Sequence, residues 1–211
     1  MHLEGKVAAV FGFASQRSIA WGVAQALHRD GATVVFGIQS ERFRPALQKA
    51  TSQWSKVPSI MCCDVSDDLQ MDATFDFVRA TYGRLDTLCH CIAHATQAAM
   101  RGPLLECTRD DFLAAHSVSS YSLVALCRRA APLMQISAAA GNSGGSVVAM
   151  SYLGSQRVVP AYRVMGPAKA SLEAVARQLA VELVSKQPRG ISLARSLRAL
   201  QLTVISLHFK L

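Results

Sequence analysis

Residues 6–22 read KVAAVFGFASQRSIAWG, and the interpretation of the whole chain starts from this stretch. The apolar run at its beginning predicts a strand that is buried on both faces, as in a parallel sheet. A loop that opens on Gly12 leads into a predicted helix, so free backbone N–H groups and the positive helix end meet at one point. This arrangement favours a pyrophosphate site. The spacing departs from G-x-G-x-x-G, with later small residues at Ser18 and Gly22, so a plain tight turn stays the alternative.

The same alternation of strand and helix continues to about residue 186. Short apolar runs predict five strands, over Lys6–Gly12, Ala32–Gly37, Ser59–Cys63, Thr87–Ala93 and Ser146–Ser151. Helical patterns lie between and after them, over Ser18–Asp30, Glu41–Trp54, Asp68–Tyr82, Arg109–Met134 and Ala161–Lys186. Strands that alternate with helices in this way are joined by right-handed crossovers. The sequence therefore predicts a single α/β domain, a Rossmann-like doubly wound parallel sheet flanked by helices.

Composition excludes several classes of protein. Of the 211 residues, 51% are apolar and 17% are charged, which excludes a disordered chain. The six cysteines show no C-x₂-C spacing, and those in apolar runs predict buried, reduced thiols and no metal site. The longest stretch without charge, residues 130–156, contains Pro132 and four glycines, so we expect no membrane span. A strand pattern begins almost at once, which predicts a cytoplasmic protein, or an organellar one if a targeting segment has been removed.

The positive charge is concentrated in the last quarter of the chain. Residues 1–155 carry 13 Lys and Arg against 12 Asp and Glu, whereas residues 156–211 carry 9 against 2. The last quarter therefore supplies +7 of the net charge of +8. Aromatic residues that could stack on bases are absent from residues 187–211 except Phe209, which argues against a nucleic-acid partner. An acidic protein partner fits this charge better.

The ends of the second and third predicted strands carry candidate contacts to a dinucleotide. Gln39 lies where such folds recognise the adenosine ribose, and its neutral side chain favours NAD over NADP. Arg42 and Arg44 lie close by and keep NADP open as the alternative. Asp64 follows the third strand, where its carboxylate can accept a hydrogen bond from the adenine amine. The alternative for Asp64 is a carboxylate that starts the next helix.

A tyrosine and a lysine follow the fifth predicted strand. Tyr162 and Lys169 are seven positions apart, which on a helix is two turns, about 10 Å, and nearly the same face. A tyrosine hydroxyl can donate a proton or a hydrogen bond to a developing oxyanion, and a nearby ammonium group stabilises the phenolate. The pair therefore predicts a catalytic centre that faces the bound cofactor.

Three segments carry a family resemblance. They are GKVAAVFGFASQRSIAWGVAQALHRDGA, LDTLCHCIAHA and SYLGSQRVVPAYRVMGPAKASLEAVARQLAVEL, at residues 5–32, 85–95 and 151–183. The chain resembles the divergent branch of the short-chain dehydrogenase/reductase family, specifically the enoyl-acyl-carrier-protein reductases, over about residues 3–190. The most specific match is Tyr152, then Tyr162 ten positions later, then Lys169. The Tyr-x₃-Lys spacing of the ketone-reducing members is absent.

The resemblance implies an activity, a cofactor and partners. It implies hydride transfer from NADH to the β-carbon of a trans-2-enoyl thioester in fatty acid biosynthesis. Tyr162 would stabilise the enolate, Lys169 would hold the nicotinamide ribose, and Tyr152 would line the acyl pocket. The implied cofactor contacts are Gly12, Ser18, Ile19, Gln39, Asp64, Val65, Ile92 and Lys169. The implied partner is an acyl-carrier protein bearing an enoyl chain, or enoyl-CoA, and the implied assembly is a homotetramer.

Two places depart from the family pattern. His94 follows the fourth predicted strand, where it either perturbs the acyl channel or lies partly solvated in a loop. Residues 191–211 read ISLARSLRALQLTVISLHFKL, in place of the family's last strands and substrate lid, so we expect a domain over 1–190 and an atypical tail over 191–211. The tail predicts an amphipathic helix over 191–200 and a strand over 202–209. A catalytically impaired NAD-fold interaction protein is the alternative function.

Overall fold

Five parallel strands form the centre of the fold. The computed structural model describes residues 2–139, 145–185, 191–195 and 202–209, the last two ranges by their backbone. The strands are β1 (Val7–Phe11), β2 (Thr33–Ile38), β3 (Ser59–Cys62), β4 (Thr87–His90) and β5 (Ser146–Tyr152), in the spatial order β3-β2-β1-β4-β5. All five residues of β1 are buried, as its continuous apolar run predicts for a strand covered on both faces. The prediction of a doubly wound parallel sheet is confirmed.

Seven helices accompany the sheet in the described ranges. They are α1 (Ile19–Arg29), α2 (Arg44–Thr51), α3 (Asp68–Tyr82), α4 (Gln97–Arg101), α5 (Arg109–His116), α6 (Ser122–Ala139) and α7 (Met165–Ser185). One apolar cluster packs α3, α6 and α7 against one face of the sheet, and a second packs α1 and α2 against the other. The strand–helix order along the chain thus covers both faces of a parallel sheet.

Three helix predictions differ from the structure. The single helix predicted over residues 109–134 is two helices, joined by a π-helical turn over residues 117–121. The helix predicted from Glu41 begins with a 3₁₀ turn, and α2 proper starts at Arg44. The helix predicted from Ala161 begins only at Met165, because Ala161 and Arg163 both have positive φ, which an α-helix does not admit.

The helix α3 shows why other boundaries are predictable. The Asp67 carboxylate accepts hydrogen bonds from the N–H groups of Leu69 and Gln70, which caps the first turn. Gly83 ends the helix with φ of +65°, the left-handed conformation that glycine adopts without strain. Both signals are visible in the residue types, and the predicted bounds of this helix are confirmed.

Two antiparallel strands extend the sheet beyond β5. Strand β7 (Leu202–Phe209) pairs antiparallel with β5, and β6 (Ile191–Arg195) pairs antiparallel with β7. The strand prediction over 202–209 is confirmed. The helix prediction is wrong for residues 191–195, whose apolar residues also fit the two-residue period of a strand that pairs with β7. Residues 196–200 lie outside the described ranges, and the division into 1–190 and 191–211 stays a prediction.

The described part of the chain can be compared with the predictions about cysteines, metal sites and membrane-spanning helices. All six cysteines are unpaired, and Cys63, Cys89 and Cys127 are buried. Within the described ranges, no group of three or more His, Cys, Asp or Glu side chains is arranged to hold a metal ion. In the same residues no helix combines the length and the hydropathy that a membrane crossing needs.

A buried carboxylate ties together the starts of three strands. Asp86 is 5% exposed and accepts hydrogen bonds from the Val7 N–H at 2.9 Å and the Ser137 hydroxyl at 2.5 Å. Arg84 donates to both of its oxygens, and Lys6 lies 3.4 Å away. Its backbone bonds to Val7 of β1 and Ser146 of β5. Burial alone would raise the pKa of Asp86, but these hydrogen bonds and charges hold it below its ordinary value.

We expect Asp86→Ala to lower the free energy of unfolding by about 3 kcal/mol, because it leaves buried donors and cations without their shared acceptor. Urea unfolding followed by circular dichroism at neutral pH measures this loss. The matched control is Asp76→Ala, which removes an exposed pair with Arg79 and should cost less than about 0.5 kcal/mol. Equal effects of the two variants would contradict the role given to Asp86.

The same network predicts a pH dependence. Since the folded-state pKa of Asp86 lies below the unfolded value, its stabilisation is fully present above the unfolded pKa of about 3.9. It is lost as the pH falls through the folded-state pKa. The difference in unfolding free energy between the wild-type chain and Asp86→Ala should therefore shrink at acid pH.

Candidate active site

A cavity of about 380 Å³ lies at the carboxyl ends of the central strands. Its walls come from the segments after β4 and at the end of β5, from the loop before α7, and from α1 and α7. The strand order reverses between β1 and β4, and the crevice at such a reversal is where open α/β sheets bind ligands. The lining residues are Ile19, Cys91, Ile92, Ala93, Met150, Ser151, Tyr152, Val159, Pro160, Ala161, Tyr162 and Lys169.

Gly12 lies where the end of β1 approaches the end of β4. The Cys91 N–H donates to the Phe11 carbonyl at 3.1 Å, which holds the two chain segments together. Gly12 has φ of +103°, and a Cβ at this position would lie 2.1 Å from the Cys91 carbonyl oxygen. Only glycine therefore fits, because a side chain would meet both backbone strain and a fixed backbone atom.

The start of α1 keeps donors available for an anion. The Ser18 hydroxyl donates to the Ser15 carbonyl at 2.6 Å, and the Ser18 side chain accepts no capping hydrogen bond from the first turn. Without such a cap, the first N–H groups of a helix are available to hydrogen-bond an acceptor such as an anion. Ile19, the first residue of α1, is 42% exposed and lines the cavity.

Gln39 and Asp64 meet across the ends of β2 and β3. The Gln39 amide donates to the Asp64 carboxylate at 2.7 Å, and the Ser66 N–H donates to its other oxygen at 2.9 Å. Burial acts to raise the pKa of Asp64, but these hydrogen bonds hold it below its ordinary value, so the side chain is a carboxylate. The alternative in which Asp64 starts the next helix is wrong, since Asp67 caps α3. Val65 lies buried beside Asp64.

Tyr162 stands on a loop, not on a helix. It precedes the first residue of α7 by three positions, so the prediction that places Tyr162 and Lys169 on one helix face is wrong. Its neighbours Ala161 and Arg163 have φ of 65° and 49°, a left-handed conformation that non-glycine residues rarely adopt and that clusters at functional sites. Tyr162 and Lys169 nevertheless line the same cavity.

The two tyrosines of the cavity are in contact. The ring centroids of Tyr152 and Tyr162 lie 4.6 Å apart at an interplanar angle of 59°. Burial, and secondarily the neighbouring Tyr152, raise the pKa of Tyr162 to about 12. At neutral pH the Tyr162 hydroxyl therefore carries its proton and can donate it to an oxyanion.

Lys169 is a buried ammonium group held by backbone carbonyls. It is 4% exposed, and its Nζ donates to the Met150 carbonyl at 2.6 Å and to the Ile92 carbonyl at 3.2 Å. Burial lowers its pKa to about 8. Among the described side chains it forms no salt bridge, so its charge acts on whatever occupies the cavity.

A family model described as Enoyl-(Acyl carrier protein) reductase matches residues 12–192. The chain belongs to this family. The resemblance that the sequence shows is thereby confirmed, and the chain is a homologue of enoyl-acyl-carrier-protein reductases.

Named relatives agree with this assignment. Enoyl-[acyl-carrier-protein] reductase [NADH] FabI of Bacillus subtilis is 38% identical over 193 residues, which is 91% of this chain and 72% of that protein. The protein of the same name from Nostoc sp. is 42% identical over 90% of this chain and 71% of its own length.

Solved structures of two further relatives superpose well. The Bacillus cereus enzyme, solved with NADP+ and an indole naphthyridinone, has a TM-score of 0.80 and 37% identity, covering 86% of this chain and 68% of its own. The Anaplasma phagocytophilum enzyme, solved with NAD, has a TM-score of 0.81 and 32% identity, covering 95% and 75%. The chain thus shares the reductase fold and spans about 70% of the length of these relatives.

The residues predicted for the reductase site fall into two groups. Ile19, Ile92, Tyr152, Tyr162 and Lys169 line the cavity, and Gly12 lies against Cys91 of its wall. The other predicted cofactor contacts are not lining residues: Ser18 precedes α1, and Gln39, Asp64 and Val65 follow the ends of β2 and β3. His94 is exposed and is not a lining residue, which supports the interpretation as a solvated loop histidine.

Sequence reasoning missed two polar groups beside the site. His90 is fully buried with its Nε2 2.7 Å from the Ser122 hydroxyl oxygen, and burial lowers its pKa to about 3, so it is neutral. Glu173 is buried on α7 and accepts hydrogen bonds from Ser151 and Ser155. The sequence feature that could have indicated Glu173 is its position four residues, one helical turn, after Lys169.

We expect Gly12→Ala to lower the free energy of unfolding by about 2–4 kcal/mol, because the added Cβ overlaps the Cys91 backbone at a positive φ. Urea unfolding measures the change. The matched control is Gly22→Ala in α1, where a Cβ meets nothing within 4 Å and should stabilise the helix by up to about 1 kcal/mol. A Gly12→Ala chain as stable as the wild type would show that β1 and β4 separate easily at this point.

Proposed function

We propose that this chain reduces the trans-2 double bond of an enoyl-acyl-carrier-protein thioester, or of enoyl-CoA, with NADH in fatty acid biosynthesis. One observation carries the proposal: Tyr152, Tyr162 and Lys169 come from a strand, a loop and a helix and line one cavity at the switch point of the sheet. The family membership and the activity for which the relatives are named support the same chemistry. The proposed location is the cytoplasm, or an organelle if a targeting segment has been removed.

The residues present fit a dinucleotide. Gly12 leaves a position that a Cβ would fill, and the uncapped start of α1 offers N–H donors to a pyrophosphate. In the proposal, Gly12, Ser18 and Ile19 hold the pyrophosphate side. Gln39, Asp64 and Val65 hold the adenosine side, and Ile92 and Lys169 hold the nicotinamide ribose. NADH, when bound, supplies the hydride that reduces the β-carbon of the thioester.

The surroundings of Gln39 favour NADH over NADPH in this proposal. Arg44 donates to the Glu41 carboxylate and to the Ile60 carbonyl, so its guanidinium is already engaged. Arg42 lies with its guanidinium carbon 4.6 Å from the Phe43 ring centroid. Because Gln39 is neutral, the 2′-phosphate of NADPH could pair with a positive charge here only if Arg42 or Arg44 left its present partner. Of the solved relatives, one was solved with NAD and another with NADP+.

The proposed chemistry of the protein side chains is electrostatic. Tyr162 keeps its proton at neutral pH and donates a hydrogen bond to the thioester oxygen as negative charge develops there. Lys169 adds a buried positive charge in the same cavity, which favours the same anion. Tyr152 lies against Tyr162 and forms the wall along which the acyl chain is placed.

The proposed partners follow from the family and the charge. The proposal takes the acyl-carrier protein to be acidic. The basic residues of 156–211 would then increase its rate of association through electrostatic attraction. Arg195 lies on β6, and Arg198 lies outside the described ranges. A homotetramer built through α5, α6 and α7 is part of the same proposal.

The decisive assay follows NADH oxidation with crotonyl-CoA and with an enoyl-acyl-carrier protein, with NADPH as the comparison. The proposal expects turnover with NADH that exceeds turnover with NADPH. Binding of NADH without turnover of any enoyl thioester would favour the alternative, a catalytically impaired NAD-fold interaction protein. A chain that neither binds NADH nor turns over an enoyl thioester would reject both functions.

We expect Tyr162→Phe to lower kcat by about 10²–10³, because one preorganised donor to the oxyanion is lost. The dissociation constant for NADH should change by less than about twofold, since the ring itself stays in place. Tyr121→Phe is the control, because Tyr121 is 47% exposed and lies on the π-helical turn away from the cavity lining. If Tyr162→Phe kept the full wild-type kcat, the Tyr162 hydroxyl would have no role in the reaction.

The pKa of Lys169 predicts a pH profile. The ammonium form is the active one, so kcat/KM should fall as the pH rises through about 8. Lys169→Arg should keep a reduced activity but lose this alkaline limb, because a guanidinium stays charged throughout the range. An alkaline limb that persists unchanged in Lys169→Arg would assign it to another group.

A further inference from the structure

Glu173 is a buried charged side chain that the proposed mechanism does not use. It lies on α7, one helical turn after Lys169, and is 8% exposed. A carboxylate removed from water is stable only when its oxygens are hydrogen-bonded. Two serine hydroxyls supply hydrogen bonds to one of these oxygens: Ser151 donates to Glu173 Oε1 at 2.6 Å, and Ser155 donates to the same oxygen.

The two serines stand on either side of Tyr152. Ser151 belongs to β5, and Ser155 closes the 3₁₀ turn that follows the strand. A single oxygen on α7 thus holds both ends of the segment over residues 151–155. Tyr152, the second residue of that segment, lines the cavity.

The segment over 151–155 is packed without spare room against the other tyrosine. A Cβ on Gly154 would lie 2.4 Å from Cδ1 of Tyr162. A Cβ on Gly166 of α7 would lie 3.1 Å from the Gly154 carbonyl oxygen. Any shift of this segment therefore moves Tyr152 and presses on Tyr162, because close-packed groups transmit displacement.

We propose that Glu173 is a positioning residue that sets the acyl wall of the cavity by tying both ends of the Tyr152 segment to α7. This inference rests on the proposed function, because it assigns the wall to an acyl thioester. Glu173 is not one of the cavity-lining residues, and its hydrogen bonds reach the cavity wall through Ser151 and Ser155. Its removal should weaken binding of the acyl substrate and leave the cofactor nearly unaffected.

The kinetic test compares matched variants of the full chain. Glu173→Ala should raise KM for the enoyl thioester about tenfold, while KM for NADH changes by less than about twofold. Glu173→Gln should recover most of the wild-type KM, because the amide oxygen can accept from both serines. The double variant Ser151→Ala with Ser155→Ala should reproduce Glu173→Ala, and adding Glu173→Ala to it should have little further effect. Glu182→Ala, an exposed glutamate on the same helix, is the control.

A second readout separates this proposal from the proposed function. The chain has four tyrosines, so fluorine NMR of the 3-fluorotyrosine-labelled protein gives four resonances that single Tyr→Phe variants assign. Glu173→Ala should shift the Tyr152 and Tyr162 resonances and leave Tyr82 and Tyr121 in place, whereas Glu173→Gln should leave all four. If the wild-type chain turns over no enoyl thioester, the proposed function fails, and the resonances alone decide the positioning role.

Two outcomes would overturn the proposal. The first is a Glu173→Ala chain that melts at a lower temperature but keeps the wild-type KM and tyrosine resonances, which would make Glu173 structural only. The second is an equal rise in KM for NADH and for the thioester. If Glu173→Ala does not fold, the single variant Ser155→Ala carries both readouts, because it releases one end of the segment and keeps the Ser151 hydrogen bond to the carboxylate.

Discussion

The approach of β1 to β4 at Gly12 is the constraint on which the site depends. The Cys91 N–H bonds to the Phe11 carbonyl, and the Cys91 carbonyl occupies the space that a side chain at position 12 would need. This contact brings the loop before α1 next to the segment after β4. Because Cys91 and Ile92 form one wall of the cavity, a glycine in the first loop also determines where that wall lies. The loop proposed to hold the pyrophosphate and the proposed reaction centre are thus parts of one arrangement.

The helix α7 places two opposite charges one turn apart in buried surroundings. Lys169 has its Nζ on the carbonyls of Met150 and Ile92, whereas Glu173 has its carboxylate on the hydroxyls of Ser151 and Ser155. Neither pairs with the other in a salt bridge, so each holds a different part of β5 and its turn. The attraction of Glu173 nevertheless favours the ammonium form of Lys169 against the cost of burial. One helix therefore orients both the cation and the tyrosine wall.

Much of the fold was predictable because local chemistry decides it. The helix α3 has the predicted bounds, since Asp67 and Gly83 are residue types that start and end helices. The loop conformation of Tyr162 was not predictable, because the positive φ values fall on an alanine and an arginine that carry no such preference. The helix predicted over 191–200 is wrong for Ile191–Arg195, because a short apolar run fits the period of a helix and of a strand, and pairing with β7 decides between them. The role of Glu173 was not predictable from the sequence, because its hydrogen-bond partners lie 18 and 22 residues earlier in the chain.

The protonation states in the cavity bear on which chemistry its side chains can support. Oxidation of an alcohol needs a group that accepts a proton, and a tyrosine serves that role only when its pKa is lowered. Burial has the opposite effect on Tyr162 and raises its pKa to about 12, while Lys169, with a pKa of about 8, is still charged at neutral pH. The phenol and the ammonium group that line this cavity are both hydrogen-bond donors. Such a pair stabilises negative charge that develops on an oxygen, as it does when a hydride adds to the β-carbon of an enoyl thioester. The electrostatics of the cavity therefore fit the oxyanion of the proposed reaction, independently of the spacing by which its residues are recognised.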